Sequence, residues 1–322
     1  MHETTDTSLH DIIMIGAGPS ALAAAVYTTR EDLDTVLLEK GVVGGLAATT
    51  DWVDNYPGFA DGIEGMKLAE QLEAQAKRFG ADIRYGEVTR IVDAGNHKEI
   101  ETVMDGTLKA KAVLIATGSD YKKLGVPGEA EYYGRGVHYC ATCDGAFYRG
   151  KTLAVVGGGN SAVQEALFLL KFATHIDLLV RSKLRASDVL QHELDEQVKA
   201  GTVTLHIATT TDEIVSTDGK TVSGVKITEN GVSSTLNVDG VFVFIGLLPN
   251  TGFLKDSTVE LDDIGMVKTD GGLQTTMSGV FASGDVRSGA TAQIASAVGE
   301  GATAALRMRE YLENHARITN YD

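Results

Sequence analysis

Short unbroken apolar runs recur along the chain, and each closes on glycine. Ile12-Ile13-Met14-Ile15 precedes Gly16, and Leu153-Ala154-Val155-Val156 precedes Gly157. Ala112-Val113-Leu114-Ile115 leads to Thr117-Gly118, Val241-Phe242-Val243 to Gly246, and Val280-Phe281-Ala282 to Gly284-Asp285. Continuous apolar runs bounded by turn residues predict strands buried on both faces of a parallel sheet. Two of these runs are followed by helical periodicity (Leu22, Ala23, Ala25, Val26, then Ala162, Val163, Ala166, Leu167, Leu170) and by a second strand, 35–39 or 175–180. The pattern is α/β: two strand–turn–helix–strand units about 140 residues apart.

Both turns carry a dinucleotide fingerprint. The first reads Gly16-Ala17-Gly18-Pro19-Ser20-Ala21, and its second strand ends at Glu39, 23 residues after Gly16. The first glycine allows the tight turn, the second lets backbone approach a pyrophosphate, and the small third residue lets helix pack on strand. The terminal acid can accept hydrogen bonds from a ribose diol. The second reads Gly157-Gly158-Gly159-Asn160-Ser161-Ala162, but its strand ends in Arg181, 24 residues on, with Lys183 and Arg185 close behind. Cations there suit a ribose 2′-phosphate, or form a solvated basic loop. Two such units imply two nucleotides, one a flavin and the other a nicotinamide. The Thr117-Gly118 turn and Asp285, an acid suited to a polyol hydroxyl or to the N-terminus of the following helix, would return the chain to the first nucleotide. The second unit is then inserted into the first, with crossings near residues 119–124 and 245–249.

Composition bears on partners. Of 322 residues, 43% are apolar and 22% charged, as in a globular enzyme with length for more than one core. The net charge of −16 argues against nucleic acid or an anionic membrane as partner. No apolar run approaches the roughly 18 residues of a membrane span, and the polar, acidic start lacks the form of a signal peptide. The protein therefore reads as soluble and cytoplasmic, where thiols stay reduced. Against that background its two cysteines stand out, both in Tyr139-Cys140-Ala141-Thr142-Cys143-Asp144-Gly145. A structural disulfide is unexpected in such a compartment, and a zinc site lacks a second ligand pair. A redox dithiol is the leading reading, with an inert cysteine pair as the plain alternative.

CATCDG at 140–145, the fingerprints at 16–21 and 157–162, and GVFASGD at 279–285 together resemble low-molecular-weight thioredoxin reductases, FAD-dependent members of the pyridine nucleotide-disulfide oxidoreductase family. The order and spacing match from about residue 10 to 313. The resemblance implies two Rossmann-like dinucleotide-binding domains, the second inserted into the first. An FAD-binding domain would span 1–123 and 247–322, and an NAD(P)H-binding-like domain carrying the dithiol 124–246. It implies a homodimer passing electrons from NADPH through FAD and the dithiol to thioredoxin, with a domain rotation between half-reactions. A separate thioredoxin-like domain ahead of residue 10 is not expected.

Carried over to this sequence, Cys143 would face the flavin as the charge-transfer thiolate and Cys140 would attack the thioredoxin disulfide. Asp144 would protonate the leaving thiolate, or simply cap a helix. FAD contacts would come from Gly16, Gly18, Pro19, Ser20 and Glu39, then from Gly45, Leu46, Asn55 and Val88. Thr117, Gly118, Asp285, Gln293 and Ile294 would complete them. NADPH would meet Gly157, Gly159, Asn160, Ser161, Arg181 and Arg185. Three positions depart from the family pattern: Arg181-Ser182-Lys183 lacks one of two paired arginines, Leu46 replaces a glutamine, and Ala292 replaces an arginine before Gln293. These departures resemble an archaeal-type, deep-branching subset with a degraded NADPH motif, which leaves NADH, ferredoxin or another donor open. Reverse flow as an oxygen-using dithiol oxidase, or a flavin-bound redox sensor, are the competing functions. Trp52 and Tyr56 lie in a segment that the family packs near the flavin but are expected in the core, and His138 is expected at the surface, with tuning of a thiolate as its alternative role. Glu193-Leu194-Asp195-Glu196 reads as a solvated helix face, and 304–312 as a helix of the flavin domain or a dimer contact.

Overall fold

The computed structural model describes residues 8–50 and 52–319, and the chain divides into two compact units, 1–120 with 248–322 and 121–247. In the first unit, the run predicted at the start forms the strand Leu9–Ile15. It lies between parallel strands Thr35–Glu39 and Thr107–Ile115, and Asp82–Tyr85 pairs beyond Thr35–Glu39. Thr107–Ile115 uses one edge twice. Its first half pairs antiparallel with Lys98–Thr102, which pairs in turn with Val88–Asp93, and its last residues pair parallel with Val280–Ala282. Ile12, Ile13 and Met14 are wholly buried because both sheet faces are covered.

One face packs on the helix Pro19–Thr29, whose Ala21, Leu22, Ala24 and Ala25 are buried together with Ala304, Ala305 and Met308 of the C-terminal helix Ile294–Thr319. The segment 304–312, open between two roles in the sequence, thus contributes to the first unit's core. Trp52 differs from expectation: 45% of it is exposed, and only Tyr56 joins a small apolar cluster, with Val53, Ile63 and Leu68.

The second unit holds a five-stranded all-parallel sheet in the order 203–207, 175–180, 152–156, 240–243, 137–138. The helix Asn160–Leu169 covers one face, with Ala162, Val163, Ala166 and Leu169 buried, and an antiparallel three-stranded sheet follows over 209–236. Leu194 is buried while Glu193, Asp195 and Glu196 of the helix Asp188–Ala200 face solvent. No described helix is long and apolar enough to cross a membrane.

Candidate active site

In the first unit the strand Leu9–Ile15 ends at Gly16, which takes φ +98°, and a Cβ there would sit 2.5 Å from the Ala116 carbonyl oxygen. Only glycine fits this turn. At Gly18 an added Cβ meets nothing within 4 Å, so the turn is open on that side. Gly18 is also the N-cap of Pro19–Thr29, with no side chain capping it and no acid in the first turn. The helix therefore presents uncapped N–H groups, the arrangement that receives a pyrophosphate. The Ser20 hydroxyl is buried and shares a hydrogen bond with that of Ser283 at 2.7 Å. Glu39 accepts from Ala17 N–H and Gly41 N–H, both at 2.7 Å, which fixes its carboxylate beside the turn.

Other expected flavin positions gather around this turn. Gly44 N–H donates to Ala17 O, and a Cβ on Gly45 would lie 3.6 Å from Gly18 Cα. Thr117 donates its hydroxyl to Asn250 O, and Gly118, at φ +64°, faces open space. Asn55 donates to Gln293 Oε1 at 3.0 Å, joining residues 238 apart in sequence, and Ile294 opens the C-terminal helix. Val88 is buried in the core, so it offers backbone alone; Gly86 N–H on Glu39 O holds its segment near the end of the second strand. Leu46 is 42% exposed.

Asp285 is half-buried, and among the described residues its carboxylate has no hydrogen-bond partner. Burial, and then the nearby charge of Glu300, push its carboxyl above the usual range. Glu300 is itself committed to Gly284 N–H and Arg287. A partnerless acid of this kind fits a ligand hydroxyl, and with the open glycine turn it makes these residues a good fit to FAD. The pH consequence follows in sign. A carboxyl raised by folding favours the native state while protonated, and that contribution is lost as pH rises out of the carboxylate range. Asp285→Asn should therefore raise the melting temperature of flavin-stripped protein, by more at pH 8 than at pH 4. It should also weaken FAD by about tenfold or more through the lost charged hydrogen bond. Calorimetry and FAD titration read the two effects, and a lower melting temperature at pH 8 would refute the first.

The second unit repeats the turn. Gly157 takes φ +146°, and a Cβ there would meet Phe244 O at 2.4 Å and Ala162 Cβ at 2.7 Å, so the small third residue of the motif is needed as well. Gly159 faces open space and starts Asn160–Leu169 without a side-chain cap. Ser161 is exposed. Asn160 Oδ1 accepts from Ser187 N–H, and Arg185 N–H donates to Gly158 O, fastening the basic loop beside the turn. Arg181, Lys183 and Arg185 are exposed. A nicotinamide dinucleotide fits here, with the cations available to its phosphates.

Within the same unit, Cys140 and Cys143 form a disulfide across the start of the short helix Ala141–Asp144, and both are half-buried. Cys140 is the N-cap: its Sγ accepts from Cys143 N–H at 3.1 Å, a contact that favours a thiolate at this sulfur in the reduced form. Asp144 closes this helix and stands at the N-cap position of the next turn, the 3-10 helix Gly145–Tyr148, where its side chain makes no capping hydrogen bond; the side-chain cap of Ala141–Asp144 is Cys140.

Tyr148 and Glu129 had no sequence signal, and His138 had one only in its alternative role beside the dithiol. His138, expected at the surface, is 7% exposed, with Nδ1 at 3.3 Å from Asp144 Oδ2 and Nε2 at 2.7 Å from the Tyr148 hydroxyl. Tyr148 itself sits ten residues away, with nothing in its surroundings to mark it. Glu129, 4% exposed, accepts from Leu124 N–H, Gly125 N–H and the Tyr139 hydroxyl, pinning the residue before Cys140 to the chain crossing.

Comparison with known proteins agrees with this geometry. Residues 10–301 match the profile of the family described as pyridine nucleotide-disulphide oxidoreductase. The chain is 44% identical over 314 residues to a thioredoxin reductase of Listeria monocytogenes, covering 96% of each. It is 41% identical to one of Bacillus subtilis with the same coverage. The crystal structure of a thioredoxin reductase from Streptococcus pyogenes superposes with a TM-score of 0.89 at 39% identity, over 96% of this chain and 100% of that one.

Proposed function

The chain belongs to the pyridine nucleotide-disulphide oxidoreductase family, and on that premise we propose that it works as an FAD-dependent thioredoxin-disulfide reductase through Cys140 and Cys143. The observation that carries this is the cysteine pair on a helix start, next to an acid, in a unit with its own open dinucleotide turn. FAD, when bound, supplies the two-electron carrier between a nicotinamide donor and the dithiol. The segments 1–123 and 247–322 form the FAD-binding domain, and 124–246 the nicotinamide-binding-like domain. Gly16, Gly18, Glu39, Gly45 and Asp285 hold the flavin nucleotide, and Gly157, Gly159, Arg181 and Arg185 the donor.

Exchange then follows from thiol chemistry. The Cys140 thiolate attacks one sulfur of the thioredoxin disulfide, a mixed disulfide forms, and the departing thiolate takes a proton supplied through Asp144. The Cys143 thiolate attacks Cys140 Sγ, releasing the second thiol and closing the Cys140–Cys143 bond. Cys143 is the sulfur that would face the flavin, when bound, and receive its electrons. The dithiol-oxidase and sensor readings are not favoured, since the Listeria, Bacillus and Streptococcus proteins matched over nearly the whole chain are named thioredoxin reductases.

The finer reading concerns the donor: Ser182, in place of a second adjacent arginine, marks a weakened 2′-phosphate site of the archaeal-type, deep-branching kind. We read the protein as a cytoplasmic homodimer, the compartment supported by both of its cysteines serving exchange. The test is reconstitution with FAD, expected to reach one flavin per chain, followed by anaerobic titration with NADPH, NADH and reduced ferredoxin. A donor that bleaches the flavin band and then supports reduction of thioredoxin confirms the function. A protein that binds no FAD refutes it.

A further inference from the structure

We propose that His138, clasped between Asp144 and Tyr148, is a positioning residue that delivers a proton through the Asp144 carboxyl to the thiolate leaving during exchange at Cys140–Cys143. The proposal rests on the exchange reading above. It begins from burial. His138 ends the edge strand Val137–His138 and is almost fully enclosed, with Phe242 against its ring at 5.1 Å. A buried imidazole needs a partner at each nitrogen. Nδ1 has the Asp144 carboxylate at 3.3 Å and Nε2 the Tyr148 hydroxyl at 2.7 Å.

The Tyr148 hydroxyl is kept neutral, first by burial and then by the charges of Asp144 and Asp239. Asp239 is held in turn by Lys151 Nζ at 3.2 Å and Thr152 N–H at 3.0 Å. Asp144 and Asp239 are thus the charges that bear on Tyr148, and Asp144 is also the carboxylate at His138 Nδ1. A neutral phenol oxygen accepts Nε2–H whether the ring is cationic or neutral. The ring can therefore lose its Nδ1 proton without stranding Nε2. Imidazole is also the side chain whose ordinary charge change falls between pH 5 and 8.

The transfer balances. The leaving sulfur gains a proton from the Asp144 carboxyl, the carboxylate regains one from Nδ1, and the ring is left neutral with its remaining proton on Nε2. Water then restores the cation, and no electron moves. Asp144 alone would have to hold its proton as an isolated, partly exposed carboxyl; the imidazole gives it a local source.

The test follows FAD-reconstituted enzyme, reduced anaerobically with dithionite and mixed with oxidised thioredoxin between pH 5.5 and 9. A parallel series uses an aromatic disulfide, whose thiolate leaves without being protonated. His138→Asn keeps an N–H towards Asp144 but carries no mobile proton. It should displace the alkaline limb of the thioredoxin profile by about one unit to lower pH, about tenfold in rate at pH 8, and leave the aromatic disulfide unaffected. Tyr148→Phe should displace the limb in the same direction by less, and supplies the test if the histidine variant does not fold. Equal slowing of both disulfides at every pH, or an undisplaced limb in both variants, overturns the proposal. Wild-type enzyme that reacts with the aromatic disulfide but never with thioredoxin would instead remove the functional reading, and the relay with it.

Discussion

Cys140→Ser and Cys143→Ser are each expected to abolish thioredoxin reduction, by on the order of a thousandfold or more, while leaving one FAD per chain in place. The size follows from chemistry: in the proposed exchange each sulfur makes a nucleophilic attack, and an alcohol cannot replace a thiolate at neutral pH. Flavin retention follows from structure, because the expected FAD residues belong to the first unit and the cysteines to the second. Folding should survive as well. Serine at position 140 still offers an acceptor to Cys143 N–H, and the disulfide closes only a short loop, worth about 2 kcal/mol. The two variants should differ in colour. Cys140→Ser leaves the Cys143 thiolate and should show a long-wavelength charge-transfer band, which Cys143→Ser should lack. The reverse pattern would exchange the roles of the two cysteines.

The parts of this molecule that were legible in its sequence are those where backbone sterics leave no choice. Gly16 and Gly157 stand where a side chain would strike a carbonyl oxygen, and Ala162 where a larger residue would strike Gly157, so the turns announce themselves. The buried parallel strands were legible for a related reason: covered on both faces, they must be continuously apolar, as 12–15 and 153–156 are. What stayed hidden depends on side chains meeting across long separations. His138 reads as an ordinary polar residue until Tyr148 and Asp144 fold back over it, and Glu129 as a surface acid until the crossing segment and Tyr139 close on it. Trp52 failed in the opposite direction. It was expected in the core, but it lies over Gly62 at the edge of a small cluster, with nearly half its surface exposed. Aromatic size is a weak guide to depth where a loop rather than a sheet carries the residue.

The same limit bears on the donor, whose proposed 2′-phosphate contacts lie on an exposed loop. Arg181, Ser182, Lys183 and Arg185 are all exposed, and the Asn160–Ser187 and Arg185–Gly158 hydrogen bonds hold them beside the second glycine turn. Gly159 and the uncapped helix start can receive the pyrophosphate of either nicotinamide, so discrimination must come from the cations that reach a 2′-phosphate. One absent charge-assisted hydrogen-bonding partner costs about 1.5–3 kcal/mol, or roughly 10- to 150-fold in affinity. Wild-type protein is therefore expected to bind NADPH weakly, with little preference over NADH. Ser182→Arg should tighten NADPH by about tenfold or more and leave NADH nearly unchanged, because only NADPH brings a phosphate for the new guanidinium to grip. Raising the salt concentration should erode the gain, since the loop is open to solvent. Titration of wild type and variant with both nucleotides reads the comparison directly. Tight, discriminating NADPH binding by the wild type would show that Arg181, Lys183 and Arg185 already suffice. Silence from both nucleotides in both proteins would assign the electrons to another donor and leave the second glycine turn as scaffold.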